Sequence, residues 1–136
     1  MRSLVFALLV MLLPAVASAQ AAGPNTDVQN TIAAQIEAFA AEDVEQAFSF
    51  ASPFIQRQFG NPENFGAMVR SGYPMVWAPA EVYYHEQAEQ GGATWQQVQF
   101  VDAAGDEYWF AYEMIVIDGE WRINGVYPMQ QPDMSV

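Results

Sequence analysis

The hydrophobic positions change their period once along the chain, and the change separates a helical first half from a β-rich second half. From Val28 onward, apolar residues recur at helical spacing, with Val28, Ile32, Ile36 and Phe39 on one face. Thr26, with Gln29 three residues later, reads as a capping box opening this helix. A second amphipathic stretch, about Glu42 to Ala51, turns Val44, Ala47, Phe48 and Ala51 inward and places Glu42, Asp43 and Glu45 at the positive end of the helix dipole. Ser52-Pro53 and Asn61-Pro62 repeat one signal, a polar cap followed by proline at the first helical position, where a missing N–H is not needed. The first predicts a short turn carrying Phe54, Ile55 and Phe59 as far as Gly60. The second predicts a helix of about Pro62 to Ser71, with Phe65, Met68 and Val69 on one stripe and Gly72 as its C-cap.

After Pro79 the period falls to two. Ala80 to Glu89, Thr94 to Val101, Glu107 to Ile117 and Trp121 to Tyr127 read as strands, joined at Gly91-Gly92, around Ala103 to Asp106, and at Asp118-Gly119. Four antiparallel strands in a meander therefore follow three or four helices. The third strand departs from simple alternation. Tyr108, Phe110, Tyr112, Met114 and Val116 share one parity, while Trp109, Ala111, Ile115 and Ile117 share the other with Glu113, so both faces are largely apolar. One helical layer covers one face of such a sheet, and a homodimer through the open face is the simplest cover for the other. A strongly curled sheet, or residues 128 to 136 folded back over the strand, would also serve.

The start of the chain follows a different pattern. Arg2, the apolar run Leu4 to Leu13, Pro14 and the small residues Ala17-Ser18-Ala19 predict a secretory signal peptide. The run is too short for a membrane span, so no stable insertion is expected after cleavage, and the location is periplasmic or secreted in a bacterium. The chain divides into residues 1–19 as signal peptide, 20–27 as flexible spacer, 28–127 as a single domain and 128–136 as flexible tail. Sixteen Asp and Glu stand against four Arg and no Lys, a formal charge of -12 that repels nucleic acid and anionic membranes. Without cysteine there is no disulfide, thiolate nucleophile or thiolate metal site. One histidine and scattered acids predict no metal site, and Gly91-Gly92 lies between strands instead of before a helix, so no nucleotide cofactor is expected either.

Helices first and a bent antiparallel sheet second resemble the nuclear transport factor 2-like superfamily, and Val116-Ile117-Asp118-Gly119-Glu120-Trp121-Arg122-Ile123-Asn124-Gly125-Val126 is similar to the last hairpin of many members. Gln35-Ile36-Glu37-Ala38-Phe39, Ala47-Phe48-Ser49-Phe50-Ala51-Ser52-Pro53 and Asn64-Phe65-Gly66-Ala67-Met68-Val69, followed by Gly72-Tyr73-Pro74-Met75-Val76-Trp77, resemble a small bacterial exported family of unknown function within it. The resemblance implies an α+β fold, with N-terminal helices packed on the concave face of a curved antiparallel sheet, a cystatin-like cone that encloses a pocket. Relatives use that pocket for ligand binding, isomerisation, dehydration or protein docking, and fold alone does not choose among these uses.

Sparse acid–base groups and abundant aromatic area favour non-catalytic binding of a small apolar or amphipathic ligand, or of a partner protein. A ketosteroid-isomerase-type isomerase or dehydratase is the alternative, and a structural or assembly role through the open sheet face is a third. Whether the protein is an enzyme stays open at this level. The catalytic candidates are Glu113, the one acid inside an apolar strand, His85, the only histidine, and Tyr83 on the same parity as His85. A rim carboxylate paired with Arg122 is the plainer expectation for Glu113. Ligand or partner contacts are expected at Tyr73 and Trp77 in the proline-stiffened segment Gly72 to Pro79, and at Trp95. Arg57 and Arg70 are placed to hold a carboxylate, or simply to balance surface charge.

Overall fold

The computed structural model describes residues 25–131, so the signal-peptide expectation and the last five residues of the tail lie outside the described residues. Helices α1 (Thr26–Ala40), α2 (Val44–Ser49), α3 (Pro53–Phe59), α4 (Pro62–Gly72) and α5 (Pro74–Trp77) precede strands β1 (Glu81–Gln90), β2 (Ala93–Val101), β3 (Glu107–Ile117) and β4 (Glu120–Met129). The strands pair antiparallel in the order β1-β2-β3-β4, the expected meander. One face of the sheet carries the helices. Phe39, Ile32 and Val28 of α1 bury against Val98, Phe100, Phe110, Tyr112 and Met114 of the sheet, and this apolar contact is the main source of stability in a chain without cross-links.

Several local boundaries differ from the sequence reading, each for a visible reason. The cap of α1 is Asn25 and not Thr26; the Asn25 side chain accepts from the Asp27 N–H at 2.9 Å. Both backbone groups of Asn25 are held by the Gln87 carboxamide, at 2.8 and 2.9 Å, so the helix start is fixed by a strand sixty-two residues away. Thr26 and Asp27, expected in the spacer, accordingly belong to α1. The next helix begins at Val44 instead of Glu42, because Glu42 sits at φ 57 and its left-handed backbone closes α1. Asp43 then caps α2. That helix stops before Ala51, which forms an isolated parallel bridge with Ile123.

Gly72 is the last helical residue of α4, and its C-cap is Tyr73. Pro74 forces this change: the residue before a proline is excluded from the helical region, and Tyr73 stands at φ -135. The stretch after it, expected as a stiff loop, is the single helical turn α5. At the other end β4 runs to Met129, with Pro128 opposite Phe110. A proline is tolerated there because β4 is an edge strand, so Pro128 and Met129, expected in the tail, belong to the sheet.

Candidate functional site

Two parallel-strand hydrogen bonds set the geometry of the site. Ser52 N–H donates to the Ile123 carbonyl and Ile123 N–H to the Phe50 carbonyl, both at 2.8 Å. They fasten the start of α3 to the edge of β4. Ser52 is fully buried; its hydroxyl caps α3 through the Ile55 N–H and donates to Asn124 Oδ1 at 2.7 Å. Asn124 is available for this because β4 carries a bulge opposite Glu113/Met114. With α3 tethered at one end, Ile55 and Phe59 pack against the edge of the core while Phe54 stays exposed.

The space left between α1, α3, α4 and β4 is a cavity of about 410 Å³, within the range of small-molecule sites. Phe39, Ile55, Phe65 and Val69 supply much of its wall. Its lining also includes Phe54 and Tyr127, the former 59% and the latter 49% exposed, which places these two at the mouth. Gly125 is also part of the wall: a Cβ there would lie 2.6 Å from Cε2 of Tyr127, so only glycine lets the Tyr127 ring lie across the strand.

No acid, histidine or arginine lines the cavity among the described residues. The residues with polar side chains in the lining are Gln35, Gln58, Asn124, Tyr73, Tyr112 and Tyr127. Gln35 is committed to the Ala47 carbonyl at 3.1 Å, and Asn124 to Ser52 and to Glu113 Oε1. Tyr112 differs. It is 1% exposed and its hydroxyl has no hydrogen-bond partner, a state native proteins seldom leave without a compensating group. Burial, with the nearby Tyr84 phenol adding to it, pushes the Tyr112 phenol far above its ordinary range, so it remains a donor at any physiological pH.

The structure separates the sequence candidates. Tyr73 lines the cavity, its ring 5.9 Å from that of Phe110. Trp77 packs on Phe39 at 5.5 Å with the Arg70 guanidinium 5.7 Å over its ring, outside the cavity lining. Arg57 and Arg70 are exposed and also outside the lining. Trp95 lies on the open sheet face beside Tyr127, at 5.7 Å. His85 is on that face too, stacked on Trp109 at 4.4 Å and bonded through Nε2 to Gln99 Oε1 at 2.8 Å. Tyr83 is exposed and donates to Glu81 at 2.9 Å, a bond that raises its phenol above the ordinary value.

Glu113 receives Asn124 Nδ2 at 3.2 Å and the Tyr127 hydroxyl at 3.4 Å. The expected pairing with Arg122 does not form, because Arg122 sits opposite Ile115 and bonds Glu120 at 2.7 Å. Neither Glu113, His85 nor Tyr83 reaches the cavity wall. The cavity residues that sequence reasoning missed are Tyr112, Asn124 and Tyr127. A signal existed for Tyr112, a phenol on the inward parity of an otherwise apolar strand. None existed for Asn124, whose place depends on a bulge.

These features define an α+β cone: helices on the concave face of a four-stranded meander, with an apolar cavity opening at one sheet edge. The chain belongs to the family described as Domain of unknown function (DUF4864), whose profile matches residues 21–136. Among curated proteins none matches it in sequence. It is similar to two solved structures of nuclear transport factor 2-like proteins of unknown function. One is from Burkholderia xenovorans LB400, with a TM-score of 0.49 and 16% identity over 81% of this chain and 88% of that one. The other is from Burkholderia pseudomallei K96243, with a TM-score of 0.42 and 14% identity over 77% of this chain and 91% of that one.

Proposed function

We propose that the domain is an exported, non-catalytic binding module that holds a small apolar or amphipathic ligand in the cavity between its helices and the edge of its sheet. The carrying observation is the lining: about 410 Å³ walled by aromatic and aliphatic side chains, with no carboxylate, imidazole or guanidinium among the described residues. General acid–base chemistry near neutral pH draws on groups of that kind, and the isomerase alternative finds none at the wall. The leader-like segment Arg2 to Ala19 supports export.

The uncharged dye Nile red tests this reading. Its emission should rise and shift to the blue with the wild-type protein, and the change should be lost in Met68→Trp, which fills the cavity from α4, while circular dichroism is retained. No dye response in the wild type would sink the proposal, and an undiminished response in Met68→Trp would place the dye elsewhere.

A second copy on the open sheet face is the accompanying reading. Its support is a strip of largely uncharged side chains, Trp95, Gln97, Gln99, Trp109, Ala111 and Ile115, interrupted by Glu113 opposite Trp95, on an otherwise strongly acidic chain. The indole N–H of Trp109 within this strip is shielded and unpartnered.

A further inference from the structure

We infer that the guest is an amphipathic cation, an apolar body carrying an alkylammonium group, with the body in the cavity and the ammonium held at the mouth by the Glu113 carboxylate and the Trp95 and Tyr127 rings. This rests on the cavity reading above and names the ligand class for the same site.

The Glu113 carboxylate stands one residue behind the cavity wall. Both of its hydrogen bonds come from lining residues, Asn124 Nδ2 at 3.2 Å and the Tyr127 hydroxyl at 3.4 Å. Its partner on β4 is Gly125, also a lining residue, and the Tyr127 ring lies over that glycine. Its partner on β2 is Trp95, whose ring is 5.7 Å from that of Tyr127. A half-buried carboxylate is thus bordered by two aromatic side chains, a combination that attracts an ammonium group through the charge and through the negative ring faces.

The carboxylate has no cation of its own. Both donors to Glu113 are neutral, and the one ion pair among the described residues joins Arg122 to Glu120. A carboxylate accepts at about four positions, so these two bonds leave room for a third partner. A formal charge of -12 concentrates cations around the molecule and opposes anions. The other polar side chains of the lining set no such preference: Tyr73 is half-buried and Gln58 exposed, so both are open enough for water to satisfy them. An apolar cavity whose mouth adjoins an uncompensated carboxylate and two rings fits a guest with an apolar body and a cationic head.

Equilibrium dialysis of three probes sharing a naphthylmethyl body tests the inference at neutral pH: the trimethylammonium, the neutral isostere with a tert-butyl group in its place, and the sulfonate. Glu113 and Trp95 lie on the open sheet face, which a second copy would cover, so the protein is kept dilute at about 50 mM salt, where charge repulsion opposes association. In Glu113→Gln the ammonium probe should lose about tenfold in affinity, and in Trp95→Leu about fivefold, while the neutral isostere stays within about twofold in both. Glu45→Gln removes an exposed charge from α2 in the helical layer and should leave the ammonium probe within about twofold, which separates the site from the overall field. Met68→Trp, which fills the cavity, should weaken the ammonium and neutral probes alike. The sulfonate should bind the wild type at least about tenfold more weakly than the ammonium.

An ammonium affinity unchanged in Glu113→Gln or in Trp95→Leu, an equal loss for the neutral isostere, a matching loss in Glu45→Gln, ammonium binding that survives Met68→Trp, or a sulfonate equal to the ammonium would each overturn the inference. Neutral binding that Met68→Trp abolishes leaves the cavity reading intact in all these cases. Absence of neutral binding to the wild type would overturn both. If Glu113→Gln does not fold, Trp95→Leu against Glu45→Gln decides by the same criteria.

Discussion

Tyr84 and Tyr112 face the helices from the same side of the sheet, and their environments make the molecule sensitive to alkali. Burial, then the negative charge of Glu37, raises Tyr84 to about 12, against an ordinary phenol near 10. Below the ordinary value both the folded and unfolded chains keep the proton, so the contribution to stability is complete. Between about pH 10 and 12 the unfolded chain ionises while folded Tyr84 does not, so stability falls as pH rises. Urea unfolding should therefore give a constant midpoint from about pH 7 to 9 and a declining one above 10, with a shallower decline in Tyr84→Phe. An identical slope in the variant would refute the assignment. The residue scale is also where the sequence was least informative about α1. Asn25 is chosen over Thr26 by Gln87, itself bonded to the buried Gln96 at 2.7 Å, and a contact made across sixty-two residues leaves no trace in a local pattern.

Among the elements, legibility followed the range of the forces involved. Ser52-Pro53 and Asn61-Pro62 were readable as helix starts because cap and proline act within one turn, and both side chains do cap, accepting from Ile55 N–H and Asn64 N–H. The bounds of β3 coincide with the alternating run Glu107 to Ile117, since parity is written in the chain itself. The cavity was not readable. It exists because α3 is tied to the β4 edge through Ser52, Ile123 and Asn124, and the bulge that frees Asn124 is a property of the paired strands. Ser52→Ala removes the cap and the partner of Asn124 together, and should cost about 1–2 kcal/mol. Amide exchange should accelerate in α3 while α1 and β3 keep their protection. Unchanged exchange in Pro53–Phe59 would mean that apolar contact, and not this hydroxyl, holds the helix in place.

For the whole molecule, charge and apolar surface pull in opposite directions, and this gives the open sheet face a distinctive salt response. Both faces of β3 were legible as apolar, and the structure assigns them. Phe110, Tyr112 and Met114 are buried beneath the helices, while Trp109, Ala111 and Ile115 are half-buried on the open side. His85 over Trp109 and Tyr127 beside Trp95 shield part of that side without closing it. If two copies meet there, each brings a formal charge of -12, and their long-range repulsion weakens association at low ionic strength. Added salt screens this repulsion within about a Debye length, roughly 14 Å at 50 mM and 4 Å at 500 mM, and leaves the apolar contact intact. Sedimentation equilibrium should therefore show association that tightens as salt is raised over that interval. Ala111→Glu, which adds a carboxylate beside Glu113 on the open face of each copy, should weaken association by tenfold or more, in keeping with the cost of like charges brought together at an interface. A protein that stays monomeric at all accessible concentrations, or a dimer that loosens with salt, would remove the second copy from the sheet and leave the cavity at the β4 edge as the sole candidate for recognition.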